Sequence, residues 1–158
     1  MPRMDAETQE AFLAEPHVAV VASLRQDGRP YTVPVWFHWD GDDIWLTGTD
    51  SRVWCRQIRR DCRVSLCIEA LAPVAGHIGI DGQAVVLDRA DFDIWPMSRV
   101  LAEKYVGRND PTRAEAVDAF VANMRTEPRL LVKVHPEVWR AIDMRVYRGK
   151  RADREFTG

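Results

Sequence analysis

The sequence predicts an α+β fold, mainly β, built on one antiparallel, barrel-like sheet of about six strands with flanking helices. Three observations lead there. Short runs of β-branched and aromatic residues alternate with Asp-Gly turns in the N-terminal third. The hydrophobic period changes to a helical one after the third run, and again before the closing runs. No repeat and no Gly-, Ser- or Pro-rich linker divides the 158 residues, so one core has to serve the chain.

Residues 5–15 read as a short amphipathic helix with Asp5 as its cap, stopped by Pro16. VAVVASL (18–24) has the character of a core strand, and RQDGRP (25–30) carries a hairpin signal. YTVPVWFHW (31–39) is the second strand, with Pro34 implying an edge, a bulge or a start of irregular pairing. DGDD (40–43) turns into the third strand, IWLTG (44–48), so the first three strands form a meander. Residues 49–61 suit a helix capped by Thr49, Asp50 or Ser51. CRVSLCIEA (62–70) is a strand, and HIGIDGQAVVLD (77–88) a long strand bent at Gly79 and Gly82. Residues 89–105 read as a helix broken near Pro96, and 112–124 as a strong helix. RLLVKV (129–134) and PEVWRAIDM (136–144) are the closing strands. The predicted organisation is a single domain over 1–144 and a polar C-terminal stretch over 145–158, either a plain tail or a partner-contacting arm.

Composition excludes several classes. Hydrophobic residues make up 46% and charged residues 29%, the balance of a globular chain rather than a disordered one. The apolar runs are far too short to span a bilayer, and the N-terminus places acids before its apolar run, so the expected compartment is the cytoplasm. A net charge of −2 gives no global field for nucleic acid or an anionic membrane. Cys55, Cys62 and Cys67 form no CxxC pair and are expected as reduced thiols, with Cys62 and Cys67 buried. His17, His38, His77 and His135 are scattered, so no metal site is expected.

The chain lacks a nucleophile elbow, a Walker loop and a GxGxxG fingerprint. Its informative segments are two. In TGTDSRVWCRQI (47–58) a strand ends in small hydroxyl residues and a helix starts at Ser-Arg, which would make an anion site of backbone amides, hydroxyls and arginines. A solvated arginine face is the plainer reading of Arg52, Arg56, Arg59 and Arg60. In PVWFHWDGDDIW (34–45) Trp36, Phe37, Trp39 and Trp45 are either core packing or the flank of a planar ligand.

Together DGRPYTVPVWF, WLTGTDSRVWCRQIRRDCRVSLCI and HIGIDGQAVV resemble the flavin-binding family that includes pyridoxamine 5′-phosphate oxidase, over roughly 8–144. RLLVKVHPEVWRAID looks like that family's closing hairpin. The resemblance implies a six-stranded antiparallel split β-barrel, a homodimer, and FMN or the deazaflavin coenzyme F-420 in clefts between subunits. It implies that Val33, Pro34, Val35 and Trp36 meet the isoalloxazine edge and that Thr47 and Gly48 lie beside the ring and ribityl chain. It implies that Ser51 and Arg52 bind the phosphate, with Gln57 as a further polar contact. One departure is plain: relatives carry Arg-x-Lys at the helix start, and here the phrase is Arg52-Val53-Trp54. Losing one charge-assisted phosphate bond costs about 1.5–3 kcal/mol. Either Arg56 compensates or Trp54 stacks on a different ligand. The substrate arginine and histidine of pyridoxamine phosphate oxidases have no match here, which argues against vitamin B6 oxidation.

Three functions follow from the resemblance. The first is an FMN-dependent oxidoreductase moving hydride to or from a small organic substrate, with no catalytic side chain assigned. The second is a deazaflavin-dependent reductase, with Arg25, Arg29 and Arg56 as candidates for the coenzyme's acidic tail. The third is a non-catalytic flavin- or haem-binding protein, with His77 or His135 as the haem ligand to test.

Overall fold

The computed structural model describes residues 2–147. Strands β1 (Ala19–Leu24), β2 (Pro30–Val35), β3 (Phe37–Trp39), β4 (Ile44–Thr49), β5 (Arg63–Ala70), β6 (Gly76–Asp88) and β7 (Arg129–Asp143) form one sheet. Its order is β2-β1-β5-β6-β7-β4-β3, with every neighbouring pair antiparallel. The two edges of that order, β2 and β3, are separated in sequence by Trp36 alone. A sheet whose opposite edges are joined by one residue has to curl until those edges meet. The result is a barrel that is closed covalently but split in its hydrogen bonding at Trp36.

This break corrects the strand count. The predicted strand 31–39 is two strands, because Val35 follows β1 while Phe37 pairs with Leu46 of β4. The sheet has seven strands where about six were expected. The expected closing hairpin is also absent: β7 is one strand of 15 residues. Pro136 is tolerated within it because it faces Gly82 where the β6–β7 register shifts, so the missing N–H falls at an irregular point of the ladder. A Cβ on Gly82 would meet the His135 carbonyl, so the bend needs glycine there.

Alternation along the strands sets the core. Val64, Leu66 and Ile68 of β5 point inward with Val21, Ile44, Leu46, Ile78 and Ile80. The same alternation turns Cys67 outward, and Cys62 precedes the strand, so both expected buried thiols are exposed. Cys55 is the buried one, and burial pushes its thiol up to about 12.

The helices attach to this barrel. Helix α1 (Ala6–Ala14) is capped by Asp5, whose carboxylate accepts from the Thr8 N–H at 2.7 Å. Helix α2 (Val53–Arg60) starts later than predicted, with Arg52 in the N-cap position and no side-chain cap. Thr49 is held in the sheet opposite Arg129, which keeps the segment 49–52 from joining the helix. Helix α3 (Trp95–Tyr105) carries Pro96 in its first turn, where a missing N–H is harmless. Pro96 therefore starts the helix rather than breaking it. Helix α4 (Ala114–Met124) follows a 3-10 turn, Pro111–Arg113. Outside the barrel Ile94, the N-cap residue of α3, and Leu101 of α3 pack with Leu131 of β7. Lys104 of α3 donates to the Leu13 carbonyl at 2.7 Å and lies 3.8 Å from the centre of the Phe37 ring, tying α3 to the end of α1. Among the described residues, no helix is long and apolar enough to cross a membrane. Of the predicted tail, residues 145–147 form a 3-10 turn and the remainder lies outside the described residues.

Candidate functional site

A cleft of about 400 Å³ opens at the split edge of the barrel. Its walls come from segments far apart in sequence. Val33, Pro34, Val35 and Trp36 form the β2 side, Thr47 and Gly48 come from β4, and Arg52 and Trp54 come from the start of α2. As an edge strand, β2 leaves alternate backbone groups unused by the sheet. Val18, Phe120 and Arg129 complete the lining and have no motif that marked them in the sequence. They enter through strand pairing and through the packing of α4.

Trp36 is held as a rigid wall. Its indole stacks on Tyr105 at 4.7 Å with an interplanar angle of 1°, and tilts against Phe120 at 5.6 Å. Tyr105 is itself pinned. Its hydroxyl lies 2.6 Å from the His17 carbonyl, accepts from the Phe37 N–H at 3.0 Å, and is 3.1 Å from the Phe37 carbonyl. Burial pushes its ionisation up, so it remains a neutral phenol. Trp36 thus belongs to both readings of the aromatic segment: it packs and it lines the cleft. Phe37 is core, and Trp39 packs edge-on against Trp139.

Trp54 does not close the site. It is 3% exposed, packs in the barrel core, and leaves the cleft open above it. Glycine at 48 permits this arrangement, since a Cβ there would lie 2.6 Å from Cys55 Sγ and 3.0 Å from the Trp54 ring.

The remaining predicted residues sit elsewhere. Ser51 is exposed, with its hydroxyl 3.0 Å from that of Thr49. Arg56 is exposed and donates back to the Ser51 carbonyl at 3.0 Å, so it braces the loop. Neither lines the cleft. Gln57 is buried and accepts from the Ser23 hydroxyl at 2.7 Å, a strut between α2 and β1 rather than a cleft residue. Arg59 bridges Asp50 at 2.9 Å and Asp88 at 2.6 Å. His77 and His135 are also outside the cleft; His135 Nδ1 is 2.9 Å from Asp43.

The chemistry of the lining is specific. Two arginines, several apolar and aromatic residues and one threonine line the same space, and no carboxylate, histidine or cysteine is among the described residues that line it. The Thr47 Oγ1 atom is buried and has no hydrogen-bond partner among the described residues. A buried hydroxyl is rarely left unpaired, so this atom fits a ligand that supplies the missing partner. A flat ring with an anionic arm matches the lining in size, polarity and charge. No cluster of metal-ligating side chains occurs among the described residues.

A family model described as pyridoxamine 5′-phosphate oxidase matches residues 5–143. No curated protein matches the chain. Among solved structures, an F420 reductase is similar at 20% identity and TM-score 0.63, covering 83% of this chain and 94% of that one. A conserved hypothetical protein from Mycobacterium tuberculosis is similar at 21% identity and TM-score 0.71, covering 90% and 86%. A haem storage protein from Vibrio cholerae is similar at 16% identity and TM-score 0.63, covering 89% and 94%. At these identities the likeness is one of fold.

Proposed function

Because the chain belongs to the pyridoxamine 5′-phosphate oxidase family, we propose that it is an oxidoreductase that holds FMN in the cleft at the split edge. The observation that carries this reading is the convergence of the Val33–Trp36 edge, Thr47, Gly48 and Arg52 on one space. When bound, FMN supplies hydride transfer to or from a small organic substrate. The chain's part is to bind and orient. The open edge of β2 offers backbone groups to the ring, and Thr47 Oγ1 gains a partner. Arg52, beside the free N–H groups of the α2 start, takes the phosphate. Trp36, fixed by Tyr105, keeps water from one flank. A lining without side-chain acids or bases suits a reaction whose chemistry lies in the cofactor.

The deazaflavin F-420 is the second reading, supported by Arg56, an exposed cation one helical turn beyond Arg52 that a longer acidic tail could meet. Haem is the least supported, since His77 and His135 are away from the cleft. Val18, Val20 and Val53 are 47%, 41% and 41% exposed close to the cleft, which supports a homodimer that covers them. The absorbance spectrum of the purified protein, with mass analysis of what it releases, tests the cofactor. Arg52→Ala is expected to weaken FMN binding about 10-fold or more without unfolding the protein. Unchanged affinity would remove Arg52 from the phosphate site.

A further inference from the structure

Trp54 stands where a phosphate-binding cation is expected, and an indole packed into the core supplies none. Resting on the FMN reading above, we propose that Arg129 is the second phosphate-binding cation of the cleft and that Glu127 orients it.

Strand register brings Arg129 to this place. It opens β7 and pairs with Thr49, the last residue of β4. The Arg52 N–H donates to the Thr49 carbonyl at 3.0 Å, and the Asp50 N–H donates to the Pro128 carbonyl at 3.3 Å. Arg52 and Arg129 therefore flank the same residue, and both line the cleft. Glu127 takes Arg129 Nε at 2.6 Å and Nη2 at 2.5 Å. That fixes the plane of the guanidinium and leaves Nη1 with no protein partner among the described residues. The nearby carboxylate of Asp50 is held by Arg59 at 2.9 Å, which offsets its repulsion of an anion. An ion pair at a strand start accounts for the Glu127 contact alone. It does not account for a guanidinium, its side chain only 20% exposed, lining the same space as Arg52. A two-arginine fork is well matched to a phosphoryl group.

FMN and riboflavin differ by that phosphate, so paired titrations of the full chain isolate its contacts. Arg129→Gln is expected to weaken FMN about 10- to 100-fold and to leave riboflavin within about 2-fold. Glu127→Gln should weaken FMN by a smaller factor; no effect would overturn the orienting role. Unchanged FMN affinity in Arg129→Gln, or equal losses for both ligands, would overturn the assignment. If the wild type binds neither flavin, the FMN reading itself fails. Inorganic phosphate then tests Arg129 alone, since it should raise the melting temperature of the wild type but not of Arg129→Gln. No phosphate effect on either protein would overturn the proposal. Should Arg129→Gln not fold, Arg129→Lys keeps the charge without the fork and is expected to show the same selective loss for FMN at a smaller factor, with no selective loss counting against it.

Discussion

Lys104→Met separates the cost of a buried amine from the packing of its stem. In the fold the side chain is 3% exposed, and burial lowers its pKa from 10.5 to about 7. The unfolded chain keeps its proton up to about pH 10.5, while the folded chain releases it near 7. Between those values the unfolded state binds more protons, so stability rises with pH. Below about pH 7 both states are charged and the full cost of burying the ammonium weighs on the fold. A shift from 10.5 to about 7 corresponds to a ceiling of about 5 kcal/mol, of which roughly 2 kcal/mol is relieved between pH 7 and pH 9. For a domain of this size that is a rise of roughly 4–8 °C in Tm. The methionine variant loses the bond to the Leu13 carbonyl, a cost of about 1–3 kcal/mol. Urea unfolding of both proteins, without added cofactor, at several pH values therefore reads the difference in slope. Parallel curves would refute Lys104 as the titrating group and leave it as a charged cap on α1.

Two further perturbations probe the frame around the cleft. Gly82→Ala places a methyl group against the His135 carbonyl at the β6–β7 irregularity, so a loss of about 1–3 kcal/mol is expected in thermal or urea unfolding. A variant as stable as the wild type would mean that the bend does not need glycine. Cys62 and Cys67 should react with a thiol reagent in the native protein, while Cys55, neutral and buried, should react only on unfolding. Fast labelling of Cys55 would show that α2 opens away from Gly48.

Local signals made much of the architecture legible. The Asp-Gly turn before β2, the Asp5 cap and the alternation of β5 are properties of neighbours in sequence, and each appears in the fold where the residues placed it. The Arg52 region was marked by its strand-to-helix transition and the Val33–Trp36 segment by the family resemblance; both line the cleft. Three features were not legible. The break at Trp36 depends on which strands flank each half of 31–39. The exposure of Cys62 and Cys67 depends on which face of β5 meets the core. Gln57 looked like a ligand contact and is a strut, because Ser23 lies opposite it across 34 residues of chain.

The residues by themselves determined the fold class and the chemistry available near the α2 start, since these follow from propensity, turn geometry and charge. Tertiary structure alone decided that the barrel splits at Trp36, and that Phe120 and Arg129 join Arg52 at one cleft. It also decided that Trp54 lies beneath that space rather than in it. The physical reason is that register and packing act between residues distant in sequence. An arginine at position 129 carries no local mark of a partner at Thr49, and that pairing exists only once β4 and β7 lie side by side.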